Sequence, residues 1–188
     1  MKIALIVIAI ILVILLGFGA KFVSIHNQLA VQQEAVKAQW ADVDGVQQRR
    51  ADLIPNLVST VKAFAAHETE VYKDIADARA ALISGRTPQE KIAANDQLSG
   101  ALSRLLVVVE NYPQLKSNEN FMSLQNQLEG SENRIAVERR KYNEALQTYN
   151  ATLQLFPQNI VASMSGFTRN DAYFKTAPGA DQAPKVQF

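Results

Sequence analysis

The chain has 188 residues, enough for one domain with a substantial hydrophobic core and short appendages. Its formal net charge is +1, and basic and acidic side chains are nearly balanced. This composition gives no electrostatic reason to bind nucleic acid, so we expect no nucleic-acid partner. The chain contains no cysteine, which excludes disulfides, cysteine metal sites and a lipoprotein attachment site.

The first informative segment is the uncharged stretch IALIVIAIILVILLGFGA at residues 3–20, which Lys2 and Lys21 flank. At the helical rise it spans about 27 Å, close to the hydrocarbon thickness of a bilayer. The alternative is a cleaved signal peptide, whose apolar region is usually only about 7–15 residues long. We therefore predict that residues 1–21 form a single-pass anchor in contact with membrane lipid. The flanking charges favour neither orientation clearly, with a slight preference for a periplasmic soluble domain.

The helical pattern continues beyond the anchor over residues 22–50, with no glycine or proline between Lys21 and Gly45. The anchor is therefore predicted to run unbroken into the soluble domain. Pro55 then interrupts a series of regularly spaced apolar residues. Two interpretations are open: Asp52 caps a new helix with Pro55 in its first turn, or one kinked helix continues through the proline.

Three further helices are predicted from periodicity and capping signals. The first covers about residues 52–83 and ends at Ser84-Gly85, where the glycine serves as a C-cap. Its apolar face comprises Leu57, Val61, Phe64, Val71, Ile75 and Leu82. The next helix runs to about residue 110 and opens with TPQE at residues 87–90, a capping box with proline at the first helical position.

The last predicted helix covers residues 119–156, with Ser117 or Asn118 as its cap. Large apolar residues recur in it at seven-residue intervals, at Phe121, Leu128, Ile135, Tyr142, Tyr149 and Phe156. Polar residues interrupt the neighbouring stripe, which favours a globular bundle over a strict coiled coil. The fold class is therefore predicted to be all-α: an antiparallel bundle of about four long helices over residues 22–156.

Residues 157–188 are predicted to form an irregular C-terminal tail. The tail contains large apolar side chains that a free segment would not need, so we expect it to dock on the bundle or on a neighbouring copy. The candidate docking residues are Phe167, Tyr173, Phe174 and Phe188.

Two groups of charged residues could meet if the helices pack in antiparallel fashion. Arg49, Arg50 and Asp52 form one group, and the other lies on the last helix. The second group includes Glu132, Arg134 and Arg139. A hydrogen-bonded network that fixes helix register is one interpretation, and a docking surface for a partner is the other.

The sequence favours no enzymatic activity. His67 and Glu68 begin HETEV, which lacks the second histidine of the HExxH zinc signature. The stretch SMSGF at residues 163–167 lacks the first glycine of a nucleophile elbow. We predict no catalytic residue, no metal site and no cofactor.

Three long strings resemble the LemA family and cover nearly the whole soluble chain. They are WADVDGVQQRRADLIPNLVSTVKAFAAHE, VVVENYPQLKSNENFMSLQNQLEGSENRIAVERRKYNEALQTYN and FPQNIVASMSGF, in that order. The resemblance implies a bacterial inner-membrane protein with one N-terminal anchor and an antiparallel all-α bundle. It implies no known catalysis, and an accessory role in the cell envelope.

Two functional hypotheses follow. The first is a non-enzymatic, membrane-anchored helical scaffold that self-associates as a homo-oligomer, in which case deletion of residues 157–188 should weaken assembly. The alternative is a monomeric adaptor or regulator of a membrane protease or another envelope protein.

Overall fold

The computed structural model describes residues 2–175. Within that range it consists of six α-helices and contains no β-strand. The helices are α1 (Lys2–Lys62), α2 (Thr69–Ser84), α3 (Pro88–Val109), α4 (Pro113–Lys116), α5 (Glu119–Thr152) and α6 (Gln158–Ser165). The predicted all-α class, with a long apolar N-terminal helix followed by a helical bundle, is confirmed.

The chain divides into two compact units, and α1 and α5 each contribute to both. The first unit contains the chain up to Gln39 and the segment Tyr142–Asp171. Its hydrophobic cluster brings two turns of α1 onto α6 and consists of Ile25, Leu29, Val161 and Ala162. The second unit contains Trp40–Lys141 and the described residues from Ala172 onward. Its core combines apolar side chains from α1 to α5, including Leu57, Ile75, Leu98, Leu115 and Phe121.

The N-terminal part of α1 contains a stretch that is long and apolar enough to cross a bilayer, and none of that stretch is buried. Leucine, isoleucine and valine side chains there are half to three-quarters exposed. Lys2 and Lys21 are both exposed on the same helix. The helix is unbroken through residue 62, as predicted for the connection between the apolar stretch and the soluble part.

Pro55 lies inside α1, so the interpretation in which Asp52 caps a new helix is wrong. Because proline has no N–H, it cannot donate to the carbonyl of Ala51 one turn earlier. The side chain of Arg79 on α2 provides the missing donor, with its Nε 2.8 Å from the Ala51 oxygen. A contact from a neighbouring helix therefore allows α1 to continue through the proline.

The predicted helix over residues 52–83 is wrong, because α1 ends at Lys62 and α2 begins at Thr69. The connecting segment contains no proline or glycine, so no local residue explains the break. A tertiary contact stabilises the break instead: the Tyr72 hydroxyl donates to the Ala65 carbonyl at 2.7 Å, and Ala65 is buried. Phe64, expected on the core face, is 40% exposed in this connection.

The starts of α3 and α5 agree with the sequence prediction. The Thr87 hydroxyl accepts from the Glu90 N–H at 3.2 Å, and the Glu90 carboxylate accepts from the Arg86 and Thr87 N–H groups at 2.8 and 3.4 Å. These bonds lower the pKa of Glu90, mainly through the Arg86 contact. At the start of α5, the Asn118 side chain accepts from the Phe121 N–H at 3.0 Å.

The C-terminal part differs from the prediction in two respects. Helix α5 ends at Thr152, and the last member of the seven-residue series, Phe156, is 80% exposed. The following segment is less irregular than predicted, because α6 forms over Gln158–Ser165. Gly166 ends α6 with φ 78°, a left-handed conformation that glycine adopts without a steric penalty.

Candidate functional site

A buried polar cluster lies in the core of the second unit. We call it the Arg50 cluster, and it comprises Gln47 and Arg50 on α1, Asn95 and Ser99 on α3, and Glu132 on α5. The spacings of three and four residues put each helical pair on one face. One nitrogen of the Arg50 guanidinium donates to the Asn95 carbonyl oxygen and the Ser99 hydroxyl, each at 3.1 Å, and lies 2.9 Å from the Glu132 carboxylate.

Burial governs the electrostatics of Arg50, whose side chain is 7% exposed. Loss of solvation lowers the pKa of its guanidinium, the Glu132 carboxylate opposes that effect, and the positive charge of Arg139 adds to it. Arginine nevertheless keeps its proton in proteins. The cluster therefore holds a permanent buried charge that one carboxylate partly neutralises.

The Arg50 cluster also contains polar atoms with spare hydrogen-bonding capacity. Gln47 is fully buried, and neither of its amide heteroatoms has a hydrogen-bond partner within residues 2–175. The same holds for the Asn95 amide nitrogen and the Arg50 Nε. Each such group costs about 1–3 kcal/mol. The cluster therefore is not explained by a gain in stability, and it suits a role in specificity or recognition.

A groove of about 450 Å³ opens beside Arg50 and Glu132. Its walls are mainly apolar, from Leu57, Leu102, Leu106, Phe121 and Leu128, with the polar side chains Ser99, Ser103, Gln125 and Glu129. This volume lies within the range of sites for small molecules or single side chains. An amphipathic group would place its apolar part on the leucines and its polar end near the charged pair.

The six charged residues predicted to interact are only partly brought together. Arg50 and Glu132 form an ion pair, as expected for opposite charges on facing helices. Arg49, Asp52 and Arg134 are exposed and lie outside the Arg50 cluster. Asp52 accepts a hydrogen bond from Gln48 on the helix surface at 3.0 Å.

Arg139 is a partly buried residue of α5 in the second unit. One of its guanidinium nitrogens is 3.7 Å from the Asp96 carboxylate. The guanidinium carbon is also 4.8 Å from the centre of the Phe174 ring.

The described tail residues pack within their own units. Phe174 is buried and stacks on Trp40, with ring centroids 6.0 Å apart, and Tyr173 beside it is partly buried. Phe167 contacts His26 edge to face, with ring centroids 5.3 Å apart. Phe188 lies outside the described residues.

Sequence reasoning missed Gln47, Asn95 and Ser99. The signal was the phase of the helices: Val43, Gln47, Arg50, Ile54, Leu57 and Val61 alternate by four and three residues. Asn95 likewise precedes Leu98, Leu102, Leu105 and Val109 in the same alternation. A polar residue at such a core position indicates a buried polar contact, even when its partner is unknown.

No metal-binding chemistry emerges from the described part of the chain. Residues 2–175 contain no group of three or more histidine, aspartate or glutamate side chains that could hold a metal ion. His67 lies in the connection between α1 and α2 and is exposed, instead of lying on a helix face. The Arg50 cluster can bind and orient a polar group, and its guanidinium is a poor proton donor or acceptor.

Comparison with known proteins gives a family and a set of relatives. Residues 39–188 match the LemA family. Magnetosome proteins MamQ 1 and MamQ 2 of Paramagnetospirillum magneticum (strain ATCC 700264 / AMB-1) are each 28% identical over 95% of this chain and 74% of their own length. Magnetosome protein MamQ of Magnetospirillum gryphiswaldense (strain DSM 6361 / JCM 21280 / NBRC 15271 / MSR-1) is 24% identical over 89% of this chain and 71% of its own.

The names of these relatives specify no enzymatic activity. Together with the exposed apolar stretch of α1, the similarity indicates a membrane-associated protein. The match covers both the Arg50 cluster and the segment that contains α6. The chain belongs to the LemA family.

Proposed function

We propose that this protein is a non-enzymatic helical scaffold, anchored in the bacterial inner membrane by the apolar stretch of α1, that self-associates. The observation that carries the proposal is the continuity of α1 over 61 residues, from the apolar stretch to the buried residues of the second unit. No loop interrupts this helix between the apolar stretch and residue 62. We place the soluble part on the periplasmic side, on the slight charge preference stated above.

Exposed apolar side chains outside the apolar stretch support self-association. Leu106 and Val107 on α3 are 44% and 69% exposed, and Met122 on α5 is 44% exposed. Leu106 and Met122 line a surface hollow of about 500 Å³. Exposed apolar side chains that share one surface are typical of protein interfaces.

Light scattering coupled to size exclusion tests the proposal on the full chain in detergent. We expect a protein mass that is a multiple of 20.7 kDa at micromolar concentration. Leu106→Glu and Met122→Glu should shift the distribution toward the monomer, because a charge on a desolvated apolar contact is costly. Gln97→Glu introduces the same side chain at an exposed polar position of α3 and should leave the mass unchanged. A monomer at every concentration would overturn self-association.

Deletion of residues 157–188 is a poor test of assembly, although the sequence suggested it. The deletion removes Val161 and Ala162, which cover Ile25 and Leu29 in the core of the first unit. Loss of assembly in such a variant would therefore reflect damage to the fold. Point substitutions on exposed side chains separate the two effects.

The groove beside Arg50 favours a second candidate function, a monomeric adaptor for a membrane protease or another envelope protein. Its apolar walls and charged inner end suit one amphipathic side chain of a partner. Crosslinking in cells that captures one stoichiometric partner and no second copy would support the adaptor. Ser103→Trp, at an exposed position that lines the groove, should then block the groove and abolish capture, whereas Gln97→Glu should not.

A further inference from the structure

Four exposed apolar side chains surround the start of α6 and one of its faces. Leu155 and Phe156 precede the helix and are 55% and 80% exposed, and Ile160 and Met164 on it are 49% and 73% exposed. We call these four residues the α6 patch. Ile160 and Met164 are four residues apart and share a helix face. Val161 and Ala162 face α1 and are buried, so α6 has one apolar face covered and another uncovered.

The position of α6 along α1 indicates what covers the α6 patch. Helix α6 packs against Ile25 and Leu29, with Phe22 at the edge of the same cluster. A hydrocarbon core of about 30 Å takes about 20 residues of helix, so one that begins at Ile3 ends near Phe22. At a rise of 1.5 Å per residue, Ile25 lies about 5 Å and Leu29 about 11 Å beyond Phe22. The headgroup layer on each side of the hydrocarbon is about 5–8 Å thick. If the apolar stretch spans the bilayer, α6 therefore lies at the headgroup layer or directly above it.

The chemistry of α6 suits a lipid surface. Its sequence, QNIVASMS, contains no charged residue, and its polar side chains are amides and hydroxyls. These groups can hydrogen-bond to lipid headgroups and water, and the α6 patch offers branched, thioether and aromatic side chains to acyl chains. A phenylalanine at 80% exposure is costly in water and is stable at the boundary between headgroups and acyl chains.

We propose that the α6 patch inserts into the boundary between headgroups and acyl chains of the leaflet from which α1 emerges. The protein then contacts the bilayer at two places, through the anchor and through α6. This inference rests on the proposed membrane anchoring and adds a peripheral lipid-binding surface to it. The occupant is the lipid of the same leaflet, because Ile25, which α6 contacts, lies within the headgroup layer of an anchored chain.

Fluorescence quenching in proteoliposomes tests the inference. The chain has no cysteine, so a single introduced cysteine carries an environment-sensitive fluorophore without background labelling. Met164→Cys reports on the α6 patch, and Phe18→Cys reports on the anchor. Gln147→Cys is the matched control, because it is an exposed polar position on α5 within the same unit. The vesicles contain phosphatidylcholine with or without bromine on the acyl chains, at a low protein-to-lipid ratio.

We expect bromine to reduce the emission at positions 18 and 164 and to leave that at position 147 unchanged. Emission at position 164 in vesicles should also lie at a shorter wavelength than emission at position 147. Ile160→Cys should repeat the result of Met164→Cys and guards against a local effect of one substitution.

The remaining outcomes separate this inference from the proposed function. Quenching at position 18 without quenching at position 164 overturns the role of the α6 patch and leaves the anchor intact. A shift to shorter wavelength at position 164 without quenching by bromine means that a second copy covers the patch, which also overturns it. Absence of quenching at position 18 overturns membrane anchoring, and the inference with it.

Discussion

Replacement of Arg79 by methionine tests how α1 continues through Pro55. The substitution keeps most of the aliphatic part of the side chain and removes the Nε donor that lies 2.8 Å from the Ala51 carbonyl. A hydrogen bond from a charged group is worth about 1.5–3 kcal/mol. Because Arg79 is only partly buried, we expect the lower end, a loss of about 1.5 kcal/mol in the free energy of unfolding.

The Pro55→Ala background separates this explanation from a general effect of losing an arginine. An alanine at position 55 has an N–H that can donate to the Ala51 carbonyl within α1. In that background Arg79→Met should therefore cost only about 0.5 kcal/mol, which leaves a coupling of about 1 kcal/mol between positions 55 and 79. Pro55→Ala alone should stabilise the helix, because proline in a helix interior is unfavourable.

The double-mutant cycle compares the unchanged chain, Arg79→Met, Pro55→Ala and the variant with both substitutions. Urea unfolding of each full chain in detergent, followed by circular dichroism, measures the four free energies of unfolding. Arg104→Met is the matched control, because Arg104 forms an ion pair with Asp74 at 2.9 Å and is 61% exposed. It should cost about 0–1 kcal/mol and show no coupling to position 55. Equal losses for Arg79→Met with proline and with alanine at position 55, within about 0.5 kcal/mol, would refute the proposed compensation.

Three further predictions concern local features. Glu90→Gln should flatten the dependence of the unfolding free energy on pH in acid. Folding lowers the pKa of Glu90, so its contribution to stability is present above its ordinary pKa of 4.5 and is lost as the pH falls through the lower pKa of the folded state. Acid titration of the unfolding free energy measures this change. Gly166→Ala should destabilise by about 1 kcal/mol at its positive φ, whereas Gly100→Ala, in open space on α3, should stabilise by a similar amount in urea unfolding. Phe174→Leu should change the emission of Trp40, the sole tryptophan, and an unchanged spectrum would contradict the stacking.

Features that depend on neighbouring residues in the chain were predictable. The capping box at Thr87 and Glu90 and the cap at Asn118 involve partners three residues apart, so the sequence contains both members of each interaction. The apolar stretch of α1 was equally clear, because its length and composition alone distinguish it.

Features set by tertiary contacts were not predictable. The turn after Lys62 has no local breaker and depends on the Tyr72 contact with Ala65. The partners of Arg50 lie 45 and 49 residues away on α3, where nothing in the local sequence identifies them. Opposite charges on distant helices predicted the pairing with Glu132. The same argument also named exposed residues, because charge alone does not distinguish a helix's inner face from its outer one.

The buried position of Arg50 has a consequence for how the helices find their alignment during folding. A slip of α3 by one turn displaces Asn95 and Ser99 by about 5.4 Å along α1. In one direction the slip would place Lys91, a second cation, where Asn95 accepts the hydrogen bond from Arg50, and in the other it would replace the Asn95 oxygen by the Ser99 hydroxyl. Apolar side chains discriminate less between such offsets, so the hydrogen bonds and the ion pair of Arg50 favour one alignment of α1, α3 and α5.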